Sequence, residues 1–225
     1  VCEKPVTLTS IEAIELQEIV VEKGLVFALT HTYTGYPMVR EMKRRIEAGD
    51  IGELQRVEAK YLQGWINPII HGGDAKLAVW RLDPKVSGIS SCMGDIGVHA
   101  FNMIEYTTGL EVKSVLSVLN NLKEENPLDL DGNVLLRFKE NLTGIVSASQ
   151  IATGEENNLQ ISIYGTKGAF HWEQENPNEL KMHHEGAPYE VIKPGYDYLS
   201  EFAQESHVMP PGHPEGIYEA FGNLY

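Results

Sequence analysis

Residues 159–173 read Leu-Gln-Ile-Ser-Ile-Tyr-Gly-Thr-Lys-Gly-Ala-Phe-His-Trp-Glu. Two short apolar runs flank the turn sequence Gly-Thr-Lys-Gly, a pattern typical of a β-hairpin. Similar runs joined by short turns occur on both sides of it, and consecutive strands on short turns indicate a mostly antiparallel meander. The predicted strands are residues 56–61, 112–119, 134–139, 145–151, 159–164, 169–173, 180–183 and 189–192.

Few helices accompany these strands, so only one face of the sheet is expected to be covered. The predicted fold is α+β, an open, mostly antiparallel β-sheet with helices on one face. The other face, which carries Ser147, Ser149, Gln160 and Ser162 or their neighbours, must be solvated or lie against another subunit.

The first 30 residues have a different pattern, that of a strand, a helix and a second strand. Thr9 and Glu12 form a capping-box signature at the start of a helix over residues 11–23, and residues 25–29 are a continuous apolar run typical of a buried parallel strand. This is the pattern of the last crossover of an α/β domain. The chain lacks an initiator methionine and ends within an apparent amphipathic helix, so we expect a piece of a longer protein.

Composition excludes several classes of partner. The 225 residues include 18 Lys and Arg against 32 Asp and Glu, a formal net charge of −14, which argues against binding to nucleic acid or anionic lipid. No apolar run approaches the ~20 residues that a membrane span needs. Cys2 and Cys92 lie far apart in unlike contexts, which favours free thiols in a reducing compartment, and a cytoplasmic location is the default expectation.

A loop of small residues leads into a predicted helix at residues 87–102, Ser-Gly-Ile-Ser-Ser-Cys-Met-Gly-Asp-Ile-Gly-Val-His-Ala-Phe-Asn. Asp95 and His99 are four residues apart, so on this helix they share a face, about 5–6 Å apart at Cβ, and can converge on one small molecule. The alternative interpretation is that Asp95 only caps the helix and that His99 is a packed or solvated histidine.

Motifs spread along the chain carry a family resemblance. In order, they are Glu-Lys-Pro at 3–5, His-Thr-Tyr-Thr-Gly-Tyr-Pro at 31–37, Ile-Gly-Glu at 51–53, Trp-Arg-Leu-Asp-Pro at 80–84, Gly-Asp-Ile-Gly-Val-His at 94–99 and Gly-His-Pro-Glu-Gly at 212–216. The chain resembles the Gfo/Idh/MocA family of NAD(P)-dependent sugar and polyol dehydrogenases. The resemblance implies that residues 1–34 end a dinucleotide-binding Rossmann domain. Residues 35–225 would then form a substrate-binding domain that assembles a homodimer or homotetramer through the open face of its sheet.

The resemblance also implies catalytic roles in oxidising a secondary alcohol. His99 would accept the hydroxyl proton, and Asp95 would bind the substrate hydroxyl and raise the basicity of the imidazole. Lys4 would lie between nicotinamide and substrate and stabilise the negative oxygen, with Glu3 and Pro5 beside the cofactor and Pro5 in the cis form. Without its flanking residues, Lys4 would be read as an exposed lysine in a turn.

Six further residues are predicted to contact the substrate, although each could instead belong to the core or the surface. Aromatic rings are expected to stack on the apolar face of a sugar, while the polar side chains would bind hydroxyl groups or border the site. These candidates are Tyr33, His71, Trp80, Arg81, Asn102 and His213, and Trp65 is a further possible stacking residue.

Some features depart from the family pattern. The Gly-x-Gly-x-x-Gly phosphate loop is absent from these residues, so NAD or NADP is expected to bind only in the full-length protein and the chain alone is expected to be inactive. Bulkier residues replace part of a glycine run at 88–94, which leaves the identity of the sugar open. Two rival functions remain, a non-catalytic sugar sensor and a metal-dependent hydrolase or isomerase that uses His71, Asp74, Asp95 and His99.

Overall fold

A single mixed β-sheet organises the computed structural model, which describes residues 1–73, 79–122, 124 and 126–225. Among these residues the sheet has eight strands in the order β2-β3-β4-β1-β5-β6-β7-β8. All neighbouring strands are antiparallel except β1 and β4. The strands are β1 (Leu54–Leu62), β2 (Val112–Asn120), β3 (Asp131–Phe138), β4 (Thr143–Ser149), β5 (Asn158–Gly165), β6 (Gly168–Glu173), β7 (Leu180–His184) and β8 (Glu190–Ile192). The predicted open, mostly antiparallel sheet is confirmed.

The helices are α1 (Ser10–Glu22), α2 (Pro37–Glu47), α3 (Asn67–Ile70), α4 (Pro84–Ser87), α5 (Val98–Thr108), α6 (Glu201–Gln204) and α7 (Ile217–Gly222). Two 3-10 turns, Thr32–Gly35 and Val79–Leu82, and a π-helical turn, Met93–Gly97, complete the secondary structure of the described residues. The predicted start of the first helix is confirmed, since Thr9 and Glu12 form a capping box. Gly109 ends α5 in the left-handed conformation. No helix among the described residues is long and apolar enough to cross a membrane.

The core lies between one face of the sheet and the helices α2 and α5. Side chains alternate along β5, where Leu159, Ile161 and Ile163 are buried and the residues between them are not, as the period of two requires. Fully buried methionines of the two helices, among them Met42 and Met103, belong to the same apolar cluster. The domain therefore has its helices on one face, as the sequence predicts.

The opposite face of the sheet is open. A hollow on it is lined by Ser147, Gln160 and Ser162, as expected, together with neighbouring residues of β1 and β4. The expectation for Ser149 is wrong. It is buried at the end of β4, where its hydroxyl accepts a hydrogen bond of 3.4 Å from the Ile151 amide.

The N-terminal residues form only part of the predicted strand-helix-strand unit. The helix is present, but the strand predicted at residues 25–29 is absent, and one parallel bridge between Cys2 and Leu29 replaces it. Val26 is 98% exposed, and α1 has no buried residue. The prediction fails because an apolar strand forms only where neighbouring backbone pairs with it, and these residues supply a single bridge.

Close contact between α7 and the 3-10 turn Thr32–Gly35 generates a stability prediction. A Cβ at Gly35 would lie 1.9 Å from the Ala220 carbonyl oxygen. We expect Gly35→Ala to displace α7 and to lower the free energy of unfolding by about 1–3 kcal/mol in urea titrations. The control is Gly222→Ala on the same helix, where a Cβ meets nothing within 4 Å. Equal effects of the two substitutions would contradict the packing argument.

Candidate functional site

A cavity of about 340 Å³ separates the N-terminal segment from the residues around α4 and the π-helical turn. Its polar lining includes Lys4, Arg81 and Asp95. Its apolar lining includes the exposed side chains of Val86 and Ile89. Pockets of this size, mostly apolar with a few convergent polar groups, are typical of small-molecule sites.

Lys4 and Asp95 form an ion pair at the polar end of this cavity. The Lys4 ammonium donates to Asp95 Oδ1 over 2.7 Å and to the Asp95 backbone oxygen over 2.5 Å. The two side chains are 15% and 21% exposed. The peptide bond between Lys4 and Pro5 is cis, as expected. Lys4 is therefore held inside the site, and the interpretation of it as an exposed turn lysine is wrong.

Arg81 approaches the same carboxylate from the other side. Its Nε lies 3.3 Å from Asp95 Oδ2, and its guanidinium lies over the Trp80 ring, 4.4 Å from the centroid. The Trp65 ring is 5.8 Å from the guanidinium. One face of Trp80 is thus covered by Arg81 rather than left to a sugar, an arrangement stabilised by cation–π attraction.

Two polar residues that the sequence did not suggest, Asp129 and Gln150, bind the segment around the π-helical turn Met93–Gly97. The Asp129 carboxylate accepts the backbone N–H groups of Ser91 and Met93 at 3.0 and 2.7 Å, so Asp129 caps the turn and the alternative role of Asp95 as the cap is wrong. The Gln150 amide donates to Asp95 Oδ2 at 3.0 Å. The available signal was a glutamine near the end of the predicted strand 145–151, directly before the apolar Ile151.

The π-helical turn separates Asp95 from His99. The sequence predicts that a regular helix places both on one face, but the wider turn at Met93–Gly97 changes their relative orientation. Asp95 contacts Lys4, whereas the His99 ring packs edge-on against Tyr33, with centroids 4.8 Å apart. No hydrogen bond or ion pair joins Asp95 to His99 in the described part of the chain.

His99 is held neutral by its surroundings. Burial first, then the positive charge of Lys4 and the neighbouring His31, lower the pKa of His99 to about 2. The expectation that Asp95 raises the basicity of His99 is wrong, because the nearby charge that acts on the imidazole is that of Lys4. Burial and Lys4 also lower the pKa of His31, whose ring lies 5.6 Å from that of His99.

Tyr33 is buried beside His99 and does not present its ring to the cavity. Its hydroxyl is hydrogen-bonded to that of Tyr61, which donates to Asn157 Oδ1 at 2.6 Å. The Gln63 amide donates to the same oxygen at 2.8 Å. Tyr33 therefore belongs to a hydrogen-bonded wall behind His99, and Tyr61 and Asn157 are members of this wall that the sequence did not suggest.

His99, which is buried, does not line the cavity, and neither do the remaining candidates. Glu3 and His71 are exposed, Asn102 is half-buried on α5, and the exposed His213 ring contacts the Pro210 carbonyl at 3.3 Å. No group of three or more His, Cys, Asp or Glu side chains among the described residues is placed to hold a metal ion. Asp74, a member of the metal alternative, lies outside the described residues.

Known proteins match both the sequence and the fold. Residues 39–171 match the family model of the GFO/IDH/MocA C-terminal domain. An uncharacterised oxidoreductase of Bacillus subtilis is 28% identical, with 100% of this chain aligned to 58% of that protein. The levoglucosan dehydrogenase of Pseudarthrobacter phenanthrenivorans is 29% identical over 81% of this chain and 51% of that enzyme. The chain thus spans little more than half the length of these curated relatives.

Solved structures share the fold of this chain. An inositol dehydrogenase homolog from Azotobacter vinelandii, complexed with NAD+, superposes with a TM-score of 0.93 at 28% identity, over 99% of this chain and 57% of that one. Its complex with NADH and myo-inositol gives a TM-score of 0.90 at 27% identity, over 99% and 56%.

The neutral state of His99 generates a pH prediction. An unfolded histidine binds a proton below its ordinary pKa of 6.5, whereas folded His99 does so only near 2. The stability that comes from keeping His99 neutral is therefore fully present above pH 6.5 and is lost as the pH falls. When the pH is lowered from about 7 to about 5, the free energy of unfolding measured in urea should fall by about 2 kcal/mol more for the wild type than for His99→Gln. His213→Gln, at an exposed histidine, should lose as much as the wild type. Equal losses by His99→Gln and the wild type would contradict the assignment.

Proposed function

The chain belongs to the GFO/IDH/MocA family, and from this membership we propose that it forms the substrate side of an NAD(P)-dependent dehydrogenase. The reaction is oxidation of a secondary alcohol of a sugar or an inositol-like polyol to a ketone. Residues 1–34 would belong to the dinucleotide-binding domain and residues 35–225 to the substrate domain. The observation that carries the proposal is the Lys4 ammonium, held by Asp95 at the polar end of the cavity and close enough to lower the pKa of His99.

The proposed proton transfer uses His99 and Lys4 together. His99 carries no proton at neutral pH, so it can accept the one that leaves the hydroxyl group. Two hydrogen bonds to Asp95 leave one Lys4 N–H without a partner in the described residues, and it can donate to the substrate oxygen. Negative charge developing on that oxygen offsets the charge of Lys4, which makes His99 a stronger base when substrate is present.

The cavity also fits the nicotinamide end of the cofactor. Its apolar wall, which includes Leu8, Val86 and Ile89, offers a surface for a flat ring next to the Lys4 ammonium. When bound, nicotinamide supplies the hydride acceptor. Lys4 and Pro5 line the cavity and would hold this end, with Glu3 adjacent in the chain.

Substrate contacts follow from the cavity lining. Both Arg81 and Trp80 line it. We propose Arg81 for the sugar hydroxyls, and for the apolar sugar face the side of the Trp80 ring that Arg81 does not cover. Tyr33 would act indirectly, through its contact with His99. His71, Asn102 and His213 stay predictions from sequence.

We further propose a homodimer or homotetramer in the cytoplasm, assembled through the open sheet face. That face presents acidic and basic side chains in alternation, including Glu58 and Lys60 on β1, together with Leu135, which is 54% exposed on β3. A surface with both signs of charge and exposed apolar residues can pair with a second copy of itself. Both cysteines are free, which is consistent with a reducing compartment.

Removal of the ammonium should abolish turnover. In the intact protein, Lys4→Met is expected to lower kcat by about 100-fold or more, because a donor to the developing oxyanion is lost. The measurement is NAD(P)H absorbance with a panel of sugars and inositols. Lys85→Met, an exposed lysine of α4 that does not line the cavity, is the control and should keep the wild-type rate. Wild-type kcat in Lys4→Met, or no turnover of any sugar or polyol by the wild type, would reject the proposal.

The interface proposal has its own test. Leu135→Glu places a charge on the open face, on the second strand from its edge, so light scattering should show a smaller assembly than for the wild type. Val208→Glu introduces the same charge at an exposed position outside the sheet and should leave the mass unchanged. A wild-type protein that is already monomeric would rule out the interface.

A further inference from the structure

We propose that Gln150 is a positioning residue that assigns the two oxygens of Asp95, one to Lys4 and one to itself. The kinetic part of this inference rests on the proposed dehydrogenase function, while its structural part stands on the contacts alone. Gln150 is fully buried just after β4 and does not line the cavity, so it acts through Asp95 and not on a ligand.

The backbone of Gln150 is fixed on both sides. Its N–H donates to the Leu130 carbonyl at 2.9 Å, and its carbonyl accepts from the Ile66 N–H at 3.2 Å. The side-chain amide then bridges Ser91, which precedes the π-helical turn, and Asp95 within it. It accepts from the Ser91 hydroxyl at 3.1 Å and donates to Asp95 Oδ2 at 3.0 Å. A buried side chain anchored in this way has little freedom to move.

Only one orientation of this amide satisfies its partners. The Asp95 carboxylate, when ionised, only accepts hydrogen bonds, so the amide nitrogen must face it. The amide oxygen therefore faces Ser91, whose hydroxyl can donate, while the Ser91 N–H is bonded to Asp129 Oδ1 at 3.0 Å. The hydrogen bonds therefore fix the orientation of the Gln150 amide as well as its position.

Lys4 and Arg81 compete for the Asp95 carboxylate. Lys4 holds Oδ1 at 2.7 Å, while Arg81 Nε stands 3.3 Å from Oδ2. Arginine prefers to bind both oxygens of a carboxylate in parallel. With Oδ2 bonded to Gln150, rotation of Asp95 toward Arg81 costs a hydrogen bond to a charged group. Gln150 thereby keeps the carboxylate on Lys4.

The test uses two substitutions of Gln150. Gln150→Met keeps the approximate volume and removes the amide, and loss of a hydrogen bond to a charged group should lower kcat by about 10-fold. Lys4 should also be acetylated faster by acetic anhydride, read by peptide mass spectrometry, since its amine is held less tightly. Gln204→Met and Gln204→Glu are the controls, because the Gln204 amide bonds backbone carbonyls of Asp197 and Leu199 outside the cavity.

Gln150→Glu tests the positioning role through the pH dependence of kcat, which a purely structural role of Gln150 would leave unchanged. Its neutral acid form can donate to Asp95 as the amide does, whereas its charged form repels the adjacent carboxylate. Two carboxyl groups this close retain a shared proton at pH values where isolated ones are ionised. The kcat of Gln150→Glu, divided by that of the wild type, should therefore fall as the pH rises, and the ratio for Gln204→Glu should stay constant.

Wild-type kcat and wild-type Lys4 acetylation in Gln150→Met would overturn the inference. The inference would also be overturned if kcat fell equally in both Gln150 variants at every pH while Lys4 acetylation stayed unchanged. That result indicates a purely structural role. Absence of turnover by the wild type itself would reject the proposed function instead. In that case the Lys4 acetylation rates of Gln150→Met and the wild type decide the question for Gln150.

Discussion

The ion pair between Lys4 and Asp95 is the contact on which the candidate site depends. It joins two residues 91 positions apart and attaches the N-terminal segment to the π-helical turn in front of α5. Both side chains are mostly shielded from water, so their attraction is screened less than that of a surface pair. The same shielding makes either charge costly without the other, since an unpaired, partly buried ion loses hydration that nothing replaces. Both residues line the cavity, so the pair joins its two sides.

The ion pair also separates the roles of the two acid–base groups. A carboxylate and an imidazole four residues apart suggest a coupled pair, in which the carboxylate makes the histidine more basic. In the structure Asp95 serves Lys4, and His99 lies against the rings of Tyr33 and His31, where burial and the Lys4 charge oppose its protonation. In the proposed mechanism, proton acceptance and charge stabilisation would therefore belong to different side chains, and neither would depend on a direct contact between Asp95 and His99.

Local patterns predicted the elements well, and long-range geometry explains what they missed. Apolar runs between short turns identified the described strands of the sheet to within a few residues. In strands such as β3 and β5, one buried face also imposes a period of two, whereas nearly all residues of β2 are exposed. The strand predicted at residues 25–29 is absent, because an apolar run becomes a buried strand only when neighbouring strands pair with it, and the run itself does not specify those partners. The π-helical turn leaves no trace in apolar periodicity, as it rotates one segment against the next without changing composition. Gln150 contacts Asp95 from 55 positions away, and that proximity exists only once β4 and the turn are assembled.

The identity of Gln150 as a neutral residue has a physical reason of its own. The described cavity lining carries two cations, Lys4 and Arg81, against one carboxylate, Asp95, and so has a positive surplus in a protein whose net charge is −14. In the proposed reaction, that surplus would stabilise the oxygen that becomes negative as the alcohol is oxidised. A carboxylate at position 150 would cancel it, and a cation there would compete with Lys4 for Asp95. An amide fixes the direction of the carboxylate and leaves the charge balance of the cavity unchanged.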